Sequence, residues 1–382
     1  MAHPAAARLG LAGRRQAPRF QARPLGGDGA PGDFGDVGHG RIGQPVAASV
    51  AVRCHEVVRL AGIRIRHPIG GEGTVSVALP SNRPPHPNIP WAVFWILGYI
   101  GFTQIPAAIL AVAWLLILML VAPPTDAELR EAQTSPLGLP GMGSGLAVGL
   151  ALAQVLSWAY SFVLLRVLVG RDWYSTLGLD RVPKAADLAA ACALVPGMLI
   201  VGNSIVALLP GAPPPTEAVL GKETMAQFEK MIRAWPWWTA VLIIGVGPAI
   251  GEELFCRGFL GRGLVAWHGP RIGVLATSLL FGIMHVIPAQ AAYAAVLGVI
   301  LHVLALSGRS LWLPMIAHFL NNGLSVMASC DDSPLKPWLA AAQQAVEARP
   351  MLFLPVGLGI CAAIMRRLLA EKTGGFPPGP RG

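Results

Sequence analysis

Apolar positions in this chain come in long unbroken runs, not in the alternating or one-faced patterns of water-soluble strands and helices. From Trp91 onward most runs are long enough to cross a hydrocarbon layer of ~30 Å at ~1.5 Å per residue. They fall at about 92–122, 144–168, 186–209, 237–264, 272–287, 289–306, 311–328 and 351–369, which makes about eight helices on a sliding-window criterion. The predicted fold class is all-α, a polytopic membrane protein. Pro106 is expected to kink the first helix, and only Pro288 separates the fifth run from the sixth. Gly141, Gly145 and Gly149 recur at four-residue spacing before and into the second run. Small residues so placed let helices approach closely, within one chain or between two copies.

Composition agrees with this pattern. Apolar residues make up 54% of the 382 positions and charged ones 13%, against roughly 25% charged in a soluble domain. The net charge of +9 does not form a basic stripe on a water-facing surface, so no nucleic-acid partner is expected. Residues 1–90 hold eleven Arg and no Lys among many Gly and Pro, and read as a disordered N-terminal tail. Arg14, Arg15 and Arg19 have no apolar stretch behind them, so no secretory signal is expected. The remainder divides into N-terminal transmembrane helices with a surface connection (91–235), a helical group rich in buried polar residues (236–330), and a last helix with its tail (331–382). Residues 210–235 read as an amphipathic connection on the membrane surface. Lys and Arg in the short loops and ends, including Arg166, Arg171, Arg181, Lys184, Arg366 and Arg367, favour both termini in the cytoplasm. A bacterial cytoplasmic (inner) membrane is the expected location. The five cysteines show no metal-finger or redox spacing, and no disulfide framework is inferred.

Charged groups inside spans cost several kcal/mol and are functional candidates for that reason. Three clusters lie between 250 and 325. In the first, Glu253 and Arg257 stand four residues apart in the favourable order for a helical ion pair. Glu252, about 100° round the helix, is left without a local partner. A carboxylate unpaired in an apolar cavity gains basicity, which suits general-base work. The second cluster pairs Phe281 with His285, and the third pairs His318 with Asn322, one turn apart, with Asn321 beside them. A lone buried His is more often structural, and Asn and His commonly glue membrane helices together. Two Glu, two His, an Arg and an Asn within about 70 residues exceed what such glue requires. They fit a cavity where a base activates water and donors receive an oxyanion. Cys256 is read as a packing residue, because carboxylates beside a thiol oppose the thiolate a nucleophile needs. His268 and His302 are read as structural. Trp235, Trp237, Trp238, Trp267 and Trp312 are read as interfacial anchors.

With EExxxR at Glu252–Arg257, FxxxH at Phe281–His285 and HxxxN at His318–Asn322, in that order on successive apolar helices, the chain resembles the CPBP family of intramembrane proteases. This is the family of Rce1-like CAAX prenyl proteases and bacteriocin-processing (Abi) enzymes. The resemblance covers roughly 236–330. It implies an intramembrane endopeptidase acting on a membrane-associated peptide or lipidated protein. Glu252 and His285 would activate water, His318 and Asn322 would form the oxyanion hole, and Arg257 would anchor Glu253. No cofactor is required on this reading. A zinc-dependent alternative would use Glu252, His285 and His318 as ligands, although the HExxH pattern is absent. A non-catalytic membrane scaffold or immunity protein is a reading from another class. A proton-coupled transporter is a third, for which no inverted repeat of broken helices is evident.

Overall fold

The computed structural model describes residues 86–134, 139–209, 222–285 and 287–373. The tail reading of residues 1–85 therefore lies outside the described residues. All described residues fall within the unit Val46–Gly382, and those with regular structure are helical, with no strand among them.

The first span, α1 (Ile89–Val121), starts at Asn88, whose side chain accepts from the Trp91 amide, and runs through Pro106 without ending. A short helix α2 (Asp126–Thr134) follows, opened by Thr125 and Glu128 in reciprocal hydrogen bonds. Next comes α3 (Met142–Leu164), extended by a π-helical turn over Leu165–Val169. Here the glycine spacing finds its use: a side chain at Gly145 or Gly149 would press on the backbone carbonyls of Ala111 or Ala107. The close packing is thus between α1 and α3 of one chain.

Span α4 (Ala185–Leu208) and the surface-type helix α5 (Lys222–Arg233) precede the site-bearing segment. That segment, α6, is a continuous helical run through Trp237–Ala240, Val241–Val246, Gly247–Glu253 and Leu254–Gly261; the second and fourth stretches are π-helical. It passes directly into α7 (Arg262–Ile283), which breaks at Gly269, where φ is 77° and Pro270 follows. The backbone folds back here, so that a side chain at Gly273 would strike Val265. In a straight helix those residues lie about 12 Å apart. After α8 (Pro288–Gly308) and α9 (Trp312–Ser329) come α10 (Lys336–Ala348) and the last span, α11 (Pro350–Thr373).

Six helical runs among the described residues are long and apolar enough to cross a membrane, one of them the 47-residue run Trp237–Ile283. That run is two arms joined at Gly269, and α9 is a further buried helix whose polar residues lower its hydropathy. The architecture thus agrees with about eight helices. Exposed apolar side chains cover the outer faces, as Leu120 (82%) and Met351 (76%) illustrate; only a lipid-facing surface tolerates so many.

Not every tryptophan is an interfacial anchor. Trp238 and Trp267 are exposed, but Trp235 is buried and its indole N–H donates to the Gly143 carbonyl at 3.1 Å. It ties the chain before α6 to the start of α3. Trp312 is exposed, and its indole N–H donates to the Leu179 carbonyl at 3.0 Å.

Candidate active site

The polar residues of α6, α7 and α9 converge. Two hydrogen bonds from α3 fix the position of α6: Trp158 donates to the Gly247 carbonyl (2.9 Å) and Ser161 to the Gly251 carbonyl (3.1 Å). Gly251 permits this approach, since a side chain there would collide with the Ser157 hydroxyl. One residue later the paired glutamates emerge, and a π-helical stretch begins directly after them. π-Helical stretches change the facing of side chains and recur at functional sites.

Glu253 is fully buried and shares one oxygen between two partners. Its Oε1 lies 2.7 Å from Arg257 Nη1 and 2.8 Å from His318 Nδ1. Arg257 is also buried; its Nη2 donates to the Gly298 carbonyl on α8 at 3.2 Å, and its guanidinium sits 4.5 Å from the centre of the Phe281 ring. Phe281 then meets both His285 and His318 edge-on, with centroids 4.9 and 6.1 Å away. Cation, aromatic ring and two imidazoles are thereby packed against one another in a water-poor space, where a cation over an aromatic face is worth ~2 kcal/mol.

His318 takes its orientation from Glu253. With Nδ1–H donated to the carboxylate, Nε2 faces Asn322 Nδ2 at 3.2 Å and Glu252 Oε2 at 4.0 Å. The latter distance is too long for a hydrogen bond, and Glu252 Oε2 has no hydrogen-bond partner. Glu252 also keeps 19% of its side chain exposed, against none for Glu253. The neighbouring carboxylates therefore differ: Glu253 is wholly buried and held through Oε1, with Oε2 unpartnered, whereas Glu252 is partly exposed and its buried Oε2 is unpartnered. His285 Nδ1 lies 2.9 Å from the Phe281 carbonyl; donation there leaves Nε2 with a free lone pair. Asn322 also donates to the Ile244 carbonyl at 3.2 Å.

Sequence reasoning passed over one neighbour, Tyr293, and its link to Asn321. Tyr293 on α8 donates to Asn321 Oδ1 (2.7 Å), and Asn321 Nδ2 donates to Asn322 Oδ1 (3.1 Å). The available signal was a tyrosine hydroxyl within an otherwise apolar helix. Cys256 is wholly buried in the apolar core, as a packing residue should be. His302 is buried too, its ring against Gly261, with Nδ1 unpartnered.

Among the described residues no three His, Cys, Asp or Glu side chains are grouped to hold a metal ion. Glu252, His285 and His318 are not grouped in this way, and the Nδ1 contact of His318 with Glu253 leaves Nε2 as its outward nitrogen. Beside α9, about one turn beyond Asn322, a cavity of about 220 Å³ opens between α4 and α10. Leu199, Ile200 and Leu324 form part of its mainly apolar wall, with Asn203, Ser325 and Gln343 as polar points.

Fold and site together define a polytopic membrane protein with a largely buried cluster of ionisable and amide side chains inside its helical bundle. Comparison with known proteins narrows this further: residues 234–324 match the family described as type II CAAX prenyl endopeptidase Rce1-like, over the segment that carries all three clusters. The match is in accord with the CPBP resemblance and supports an endopeptidase of this general type. No curated protein matches the chain, and no solved structure does.

Proposed function

We propose that the protein is an intramembrane endopeptidase that hydrolyses a peptide bond in a membrane-associated or lipidated substrate, with Glu252 as the base. The observation that carries this is the inequality of the two glutamates. One is buried and doubly bonded; the other is partly exposed, unpartnered and within 4.0 Å of a fixed imidazole.

On this reading a water held by Glu252 and His285 Nε2 gives its proton to Glu252 as it attacks the substrate carbonyl. The carbonyl oxygen becomes an oxyanion between Asn322 Nδ2–H and His318. When the imidazole carries both protons, its Nε2–H and the Asn322 amide donate to the same point. Glu253 holds Nδ1–H and balances the imidazolium, as the carboxylate of a hydrolytic triad does. Arg257 offsets the charge of Glu253. The proton on Glu252 then passes to the leaving amine. No step requires a metal ion. The apolar cavity beside α9 is suited to hold an apolar group attached near the scissile bond.

The test is cleavage of a lipidated peptide library by detergent-purified protein, comparing wild type with Glu252→Gln, each with and without a zinc chelator. The expected result is cleavage by wild type that survives chelation and is lost in the variant by about 10³-fold or more. Equal cleavage by both proteins would overturn the assignment of Glu252. Loss of wild-type activity on chelation would replace it with the zinc reading.

A further inference from the structure

We propose that Tyr293 and Asn321 are positioning residues that fix which way the Asn322 amide points at the reaction centre; this rests on the protease reading above. An asparagine side chain has an acceptor at one end and donors at the other, and its two orientations are nearly equal in shape. Only hydrogen-bond partners choose between them. If Asn322 were reversed, its oxygen would face the position of the oxyanion and repel it.

The hydrogen bonds here form a chain with a direction. The Tyr293 hydroxyl donates to Asn321 Oδ1, which turns Asn321 Nδ2 toward Asn322. That Nδ2 donates to Asn322 Oδ1, so Asn322 Oδ1 serves as acceptor and Nδ2 points the other way. There it meets the Ile244 carbonyl and His318 Nε2, both at 3.2 Å. Thus a phenol on α8 sets the polarity of a donor on α9. Asn321 is buried to 1% exposure, so water does not readily substitute for either partner.

The phenol is itself held in place. A side chain at Gly202 of α4 would come within 2.7 Å of Tyr293 Cζ, the ring carbon that bears the hydroxyl. The glycine leaves the space in which this ring lies against α4. Three spans, α4, α8 and α9, therefore contribute to the orientation of one amide.

Tyr293→Phe deletes the first donor and keeps the ring. Its kcat is expected to fall about tenfold with KM within about twofold, the usual scale for losing an outer partner of a catalytic group. In an Asn322→Ala background the same change is expected to have no further effect, because the relay acts only through Asn322. Gly202→Ala, which displaces the ring from the opposite side, is expected to lower kcat in the same direction. Spectra of ¹⁵N-histidine protein, with the His318 resonance assigned by its loss in His318→Gln, supply a readout independent of turnover. The His318 Nε2 signal is expected to move in Tyr293→Phe toward its position in Asn322→Ala. Unchanged kcat and an unchanged His318 signal in Tyr293→Phe, with Glu252→Gln inactive, would overturn the relay and leave the protease standing. Full effects of Tyr293→Phe persisting in the Asn322→Ala background would also overturn it. If Glu252→Gln were fully active, the assignment of Glu252 as the base would fall, and the His318 signal would still decide the relay.

Discussion

At the scale of single residues, the decisive contrast is between two side chains of the same type that stand next to each other. Glu253 and Arg257 form a buried pair, and removing one partner leaves a charge uncompensated in an apolar interior, at a cost of about 3–5 kcal/mol. Arg257→Leu is therefore expected to lose most of its folded protein, measured as a lowered unfolding midpoint in detergent. Glu252→Gln is expected to lose activity and leave that midpoint in place. A large stability loss in Glu252→Gln would show that its carboxylate is structural. The sequence made the Glu253–Arg257 pair and the isolation of Glu252 legible, because four-residue spacing on one helix determines both. It did not show that His318 binds Glu253, 65 positions away, since no local rule reports which helix face another helix presents. The Tyr293–Asn321 contact escaped notice for the same reason.

At the scale of elements, the site depends on how α6 is held at its middle and at its start. In its middle, Gly251 admits the hydroxyl of Ser157, so Gly251→Ala is expected to lower both the unfolding midpoint and activity by forcing α3 and α6 apart. At its start, Asp332 Oδ1, just beyond α9, accepts the Trp237 amide at 2.9 Å and caps α6. Asp332→Ala is expected to cost about 1 kcal/mol, read from the same unfolding midpoint. The adjacent Asp331 binds Lys336 at 2.6 Å, and that hydrogen bond and charge hold its carboxyl below the ordinary carboxylate value. A depressed folded value means that the contribution is complete above the ordinary pKa and fades as pH falls through the lowered one. Comparing acid unfolding of wild type and Lys336→Met, the difference is expected at neutral pH and to vanish in strong acid. Helix positions were legible from apolar runs, and so was the interruption near Gly269 and Pro270. The π-helical stretches were not, since no residue type marks them, and Trp235 was misplaced because a tryptophan near a helix end looks the same whether it faces lipid or a neighbouring carbonyl.

At the scale of the whole molecule, the described residues carry apolar side chains on their outer faces as well as in their cores, unlike a soluble enzyme, and this was the most legible property of all. Filling the cavity beside α9 tests whether it serves the substrate. Ala328→Phe places a ring among its lining residues, and is expected to raise KM for lipidated peptides several-fold while leaving kcat nearly unchanged. Unchanged KM would remove the cavity from the substrate path. The backbone reversal at Gly269 matters at this scale too. A chain that crosses a barrier an even number of times comes back to the compartment it left. With the segment 237–283 counted as two passes, α1, α3, α4, α6, α7, α8, α9 and α11 give that even parity, whereas one unbroken rod would make it odd. A reporter fused after Thr373 would then register the opposite compartment. On that count, the backbone angle of a single residue, 77° at Gly269, would set the sidedness of everything downstream, His318 and Asn322 included.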